Sequence, residues 1–175
     1  MKKDKIFYTV DRTGYLKESM ILDLQIYKDI EPDYLQTHVD KLFPDGVSSH
    51  GNIYFLNGKQ DTLHVSPNLE LVFEYVRRSN FKDLPSRFQS VFAWDNIEDA
   101  RWFLKNYPGE KSFLYEVKSD VIHKANMKLL NANSSILVTS YFAEMYWKGE
   151  EGSVGEIRWE YLLKCPVQVL KRVKL

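Results

Sequence analysis

Three stretches of this sequence carry a polar side chain at or near the end of an otherwise apolar run: Phe7-Tyr8-Thr9-Val10-Asp11-Arg12, Arg87-Phe88-Gln89-Ser90-Val91-Phe92-Ala93 and Ile157-Arg158-Trp159-Glu160-Tyr161-Leu162-Leu163. A fixed carboxylate such as Glu160 can stabilise positive charge that develops in a transition state. The planar fork of an arginine such as Arg12 suits phosphate oxygens, and the hydroxyls of Thr9 and Ser90 can orient a bound group. Each also has an ordinary reading. Glu160 fits the solvent-facing side of an alternating strand, Arg12 beside Asp11 fits a solvated surface pair, and Ser90 alone carries little information.

Other chemistries find less support. His38, His50, His64 and His123 lie far apart, and none stands at helical i,i+4 spacing from another, so no metal motif is present. Neither a GxxxxGK[ST] nor a GxGxxG pattern occurs. The single cysteine, Cys165, sits beside Pro166 in an apolar run and reads as packing rather than as a thiol nucleophile. Lys plus Arg equals Asp plus Glu at 24 each, which removes the basic excess typical of phosphate-backbone binding. Apolar runs such as Ile136-Leu137-Val138 are far short of a membrane span, and Lys2-Lys3-Asp4-Lys5 is not followed by an apolar signal segment, so a cytoplasmic protein with no membrane partner is expected.

The elements that must position these residues are legible in outline. The chain has 175 residues, 44% of them hydrophobic and 14% aromatic, and no repeat or linker divides it, so one α+β domain over 1–175 is expected. Ile6-Phe7-Tyr8-Thr9-Val10 reads as a strand. Leu35, Val39 and Leu42 recur at helical spacing between Pro32 and Pro44-Asp45-Gly46. Ile53-Tyr54-Phe55-Leu56 before Asn57-Gly58 reads as a short strand in a hairpin, with His50 in the polar loop ahead of it. Ser66-Pro67 opens a second helix with the stripe Leu69, Val72, Phe73 and Val76. Asp95-Asn96-Ile97-Glu98 opens a third, with Asp95 as the cap. Phe113–Val117, Trp159–Leu163 and Cys165–Leu170 read as strands, while Ser135 to Trp147 leans towards helix. The Arg77-Arg78 pair reads as a solvated helix end, or as a local basic patch together with Arg87.

In these three segments and in their order, the sequence resembles the ADP-ribosyltransferase superfamily, and more closely a bacterial family of unknown function within or beside it. The resemblance spans nearly the whole chain. It implies two packed, mostly antiparallel sheets that form a cleft with surrounding helices. It also implies that NAD is a substrate, that no metal is needed, and that ADP-ribose passes to a protein or nucleic-acid acceptor with release of nicotinamide. The residue that holds NAD is Arg12 if the arginine-type pattern applies; in the histidine-type pattern Thr9 takes the histidine position. Ser90 corresponds to the residue on the second strand that supports the nicotinamide side, and Glu160 to the catalytic glutamate. Arginine-modifying members carry a second Glu or Gln two residues before the catalytic one, whereas Arg158 stands there in this chain.

The chemistry fits one carboxylate. Breaking the nicotinamide–ribose bond builds oxocarbenium character on the sugar, as in glycoside hydrolysis, but nicotinamide leaves neutral and needs no general acid. Glu160 then stabilises the cation, Arg12 clamps the diphosphate and Ser90 orients the ribose. Two further readings share the fold: a catalytically inactive NAD- or nucleotide-binding module, and an RNA-directed phosphotransferase.

Overall fold

A computed structural model describes residues 5–58, 66–119, 122–153 and 155–174; Lys2-Lys3-Asp4 and His64 lie outside them. The fold is α+β. A four-stranded antiparallel sheet has the order β1-β4-β7-β2, formed by Ile6–Asp11 (β1), Phe113–Lys118 (β4), Val167–Val173 (β7) and Ile21–Leu22 (β2). A three-stranded antiparallel sheet has the order β3-β6-β5, formed by Ser90–Ala93 (β3), Trp159–Lys164 (β6) and Ile122–Asn126 (β5). Tyr8 and Trp94 exchange backbone hydrogen bonds of 2.7 and 2.8 Å, so the sheets meet where β1 passes the end of β3.

Side-chain alternation assigns each strand face a job. In β1, Phe7, Thr9 and Asp11 are buried, and Phe7 packs with Tyr161, Leu163 and Val169. Tyr8 and Val10 point the other way, against Trp94, Phe103 and Leu104. Strand β6 is central and covered on both faces, which buries Glu160 through Leu163 without a break. Tyr161 and Leu163 join the core beneath β1, while Leu162 packs with Phe73, Phe142 and Tyr146. Glu160 shares the Leu162 face, so its expected solvent-facing position is corrected.

The helices run Asp33–Leu42 (α1), Ser49–Gly51 (α2), Pro67–Asn80 (α3), Ile97–Asn106 (α4) and Ile136–Lys148 (α5). Ile53–Leu56 is not a strand: α2 continues directly as a wider helical turn over Asn52–Leu56, and no hairpin forms. Phe55 packs edge-on to Phe43 and against Phe88, which buries a short apolar run as well in a helical turn as in a strand. His50 accordingly sits in this helical segment rather than in a loop. In α4 the cap is Asn96, whose side chain accepts from Asp99 N at 2.8 Å, while Asp95 instead accepts from Tyr161 Oη at 2.7 Å. Arg87–Gln89 forms a 3₁₀ turn, so the second motif becomes a strand only at Ser90. Cys165 lies in the turn between β6 and β7.

The buried face of α3 departs from the expected stripe: Leu69 and Phe73 point inwards, but so do Glu70 and Glu74, while Val72 is exposed. Two buried carboxylates on one face need cations. Arg77, Arg78 and Ser86 supply Glu74 with bonds of 2.7–3.1 Å, which corrects the reading of Arg77-Arg78 as a solvated end or basic patch. Glu70 is paired with Arg87.

Candidate functional site

Where the two sheets diverge, a cleft of about 570 Å³ opens, and Thr9, Arg12, Ser90 and Glu160 all line it. That volume lies within the range of small-molecule sites. The walls add His50, Tyr54 and Phe92 in one part and Trp94, Phe103 and Tyr107 in another.

The four side chains arrive there differently. Thr9 Oγ1 donates to Phe92 O at 2.7 Å and Ser90 Oγ to Ser86 O at 2.6 Å, so both hydroxyl protons are spent on backbone carbonyls and each oxygen keeps its accepting capacity. Arg12 is not paired with Asp11. That buried carboxylate instead accepts from the backbone N–H groups of Thr13, Gly14 and Leu16 and from Thr13 Oγ1, at 2.8–3.1 Å, shaping the turn after β1. The Arg12 guanidinium lies 5.8 Å from the Phe103 ring centre, with no carboxylate partner among the described residues.

Glu160 is buried, at 4% exposure, and is gripped by other side chains. Its Oε1 accepts from Arg87 Nη1 at 2.9 Å and from Tyr146 Oη at 2.7 Å, leaving Oε2 without a partner among the described residues. Arg87 also donates to Tyr146 Oη, grips Glu70 through two bonds of 2.6 and 2.8 Å, and lies 4.5 Å over the Phe92 ring. Burial opposes ionisation of Glu70, but the Arg87 guanidinium and, to a smaller degree, His50 together outweigh it and hold that carboxyl far below the usual range. Burial works against Arg87 in the same way, and Glu70, Tyr146 and Glu160 together raise its hold on its proton. Burial pushes the Tyr146 phenol well above its ordinary value, so it acts as a neutral donor. One cation thus serves two carboxylates, and the trio retains one negative charge, on the side where Oε2 is free.

Next to this network, His50 stacks on Tyr54 at 4.3 Å and meets Phe92 edge-on at 4.6 Å. Its Nε2 lies 3.3 Å from Glu70 Oε1, close enough for an ionic contact but not aligned as a hydrogen bond. The helical segment is seated by Ser48 Oγ, which accepts from Gly51 N, and by the absence of a side chain at Gly51, where a Cβ would stand 2.3 Å from Phe88 O. Gly51→Ala should therefore cost about 1–3 kcal/mol through overpacking and lower Tm by roughly 5 °C in a calorimetric scan.

The groups that sequence reasoning missed are Glu70, Arg87 and Tyr146, while His50, read as a polar loop residue that could also contact a substrate, does line the cleft. Arg87 lay inside one of the three singled-out segments, and a glutamate on the inward face of a helix was the signal for a buried cation. Cys165 also lines the cleft; burial, and to a smaller degree Asp23, push its thiol up to about 11, which leaves it a poor nucleophile. Among the described residues no His, Cys, Asp and Glu side chains cluster in a way that could hold a metal ion, and no helix is long and apolar enough to cross a membrane.

Residues 23–175 match the family described as a protein of unknown function (DUF2441), and the chain belongs to that family. No curated protein matches it.

Proposed function

We propose that this DUF2441 chain is an NAD-consuming transferase of the ADP-ribosyltransferase type, with NAD as substrate, nicotinamide as leaving group and a protein or nucleic acid as acceptor. One observation carries the reading: Arg12 with Thr9, Ser90 and Glu160, from three strand segments far apart in the sequence, open onto a single cleft. In this assignment Glu160 Oε2 faces the ribose as the nicotinamide bond breaks, and the retained negative charge stabilises the oxocarbenium-like sugar. Arg12 receives the diphosphate, and Ser90 and Thr9 offer accepting oxygens along the β1 and β3 walls.

Arg12 is the only cation lining the cleft, among the described residues, that no carboxylate engages. One guanidinium suits a single diphosphate better than an RNA end, whose binding draws on several phosphate contacts. A second reading, an inactive NAD-binding module, draws support from the engagement of Glu160 Oε1 by both Arg87 and Tyr146. Calorimetric titration with NAD, without added metal, should show binding. Arg12→Ala should weaken it by roughly tenfold or more, because a charge-assisted bond acts in the ground state, whereas Glu160→Gln should change it by less than about threefold. Absence of heat at millimolar NAD would remove the proposal, equal losses would contradict the division of roles, and binding without turnover would favour the inactive module.

A further inference from the structure

We infer that His50 is the group that takes the proton from the acceptor, and that the acceptor is a neutral nucleophile that sheds a proton as it attacks, such as a hydroxyl or water. This assignment rests on the transfer reading above. Its basis is the environment of the ring. His50 Nε2 is the only buried side-chain polar atom without a hydrogen-bond partner among the described residues, and it faces Glu70 Oε1 at 3.3 Å. Glu70 is ionised and holds Arg87 through both oxygens. A bare nitrogen lone pair facing a carboxylate oxygen at that distance is repulsive, whereas an N–H is attractive, so the proton of the neutral ring sits on Nε2. The lone pair is then on Nδ1. That atom has no hydrogen-bond partner among the described residues and is not buried as Nε2 is, on a side chain that is 16% exposed and lines the cleft.

The formal charges around the ring also accommodate the charged product of proton transfer. The charged and titratable groups around the ring are Glu70 from α3, Arg87 ahead of β3, Glu160 from β6 and Tyr146 from α5 beyond it, and Tyr54 on its own segment. Glu70, Arg87 and Glu160 sum to one negative charge, so an imidazolium at His50 makes the set neutral. The rings of Tyr54 and Phe92 fix its plane. The step balances. The bond from ribose C1′ to the nicotinamide nitrogen breaks, with its electron pair staying on nitrogen. The acceptor oxygen bonds to C1′, and its proton passes to His50 Nδ1 and from there to solvent.

Two measurements test this. Nitrogen-detected imidazole NMR of the wild-type protein, with His50 assigned by its loss in His50→Gln, should show the Nε2–H tautomer. Nicotinamide release from NAD, with methanol as a hydroxyl probe and water as the competing acceptor, should rise with pH as proton loss frees the Nδ1 lone pair. In His50→Gln it should lose that dependence and be about 100-fold slower on the alkaline side. A His50→Gln variant that keeps the wild-type rate and pH profile overturns the role of His50 while the transfer reading stands. An Nδ1–H tautomer overturns it whatever the turnover. If the wild type releases no nicotinamide although its spectrum shows Nε2–H, the transfer reading has failed and the proton-acceptor role falls with it.

Discussion

Glu160→Gln should leave the protein folded and reduce nicotinamide release from NAD by about 100- to 1,000-fold, with and without an acceptor. The magnitude is that of removing one preorganised electrostatic group from a transition state. The geometry makes the substitution unusually selective. The side-chain carbonyl of glutamine can still accept from Arg87 Nη1 and Tyr146 Oη, the two bonds that Glu160 Oε1 makes. Arg87 keeps both bonds to Glu70, so no buried cation is stranded. What changes is the atom facing the cleft, which becomes an uncharged amide nitrogen, and the trio becomes neutral. Chromatography of nicotinamide, with wild type and variant matched by Tm, makes the comparison; retained turnover would show that Glu160 is not the catalytic residue.

Arg87→Met should be the most destabilising single change near the cleft, costing about 3–5 kcal/mol at neutral pH and lowering Tm by roughly 10 °C. It leaves Glu70 fully buried without its counter-charge, and Glu160 with only the Tyr146 hydroxyl. The pH dependence should change sign. In the wild type the folded-state Glu70 titrates well below its ordinary value of 4.5. The stability it contributes is therefore complete above that pH and lost as the pH falls below it. Without Arg87, burial loses its main opponent and only His50 still favours the ionised form, so the folded state holds the carboxyl proton more tightly and stability should decline as pH rises from 4.5. Denaturant melts at pH 4.5 and pH 7 test this: acidification over that interval should stabilise Arg87→Met, and a variant destabilised by acid as the wild type is below 4.5 would contradict the account.

The sequence made the scaffold legible wherever one face of an element met water. The spacing of Leu35, Val39 and Leu42 gave α1, and alternating β-branched and aromatic residues gave β1, β4 and β7. It was less informative where both sides were covered. The run Ile53–Leu56 has no polar face to reveal its period, and its helical form depends on Phe43 and Phe88, which come from elsewhere in the chain. Burial of Glu160 was likewise hidden, because a charged residue in a strand looks solvent-facing until its partners are known. Those partners come from the turn before β3 and from α5, and α3 adds Glu70 on the far side of Arg87. The resemblance placed Arg12, Ser90 and Glu160 in order along the chain, but it had no place for Arg87 or Glu70, since an ion pair across 17 residues leaves no mark in periodicity.

The uneven count of charges around Arg87, two carboxylates to one guanidinium, also bears on product release. In the proposed reaction the ring enters as a pyridinium and departs as an uncharged pyridine. A cleft wall with one surplus negative charge attracts the former and has no such hold on the latter. Electrostatics therefore works against product inhibition by nicotinamide: the hold of the cleft on the ring weakens as the bond breaks, while the overall equilibrium stays that of the free reactants.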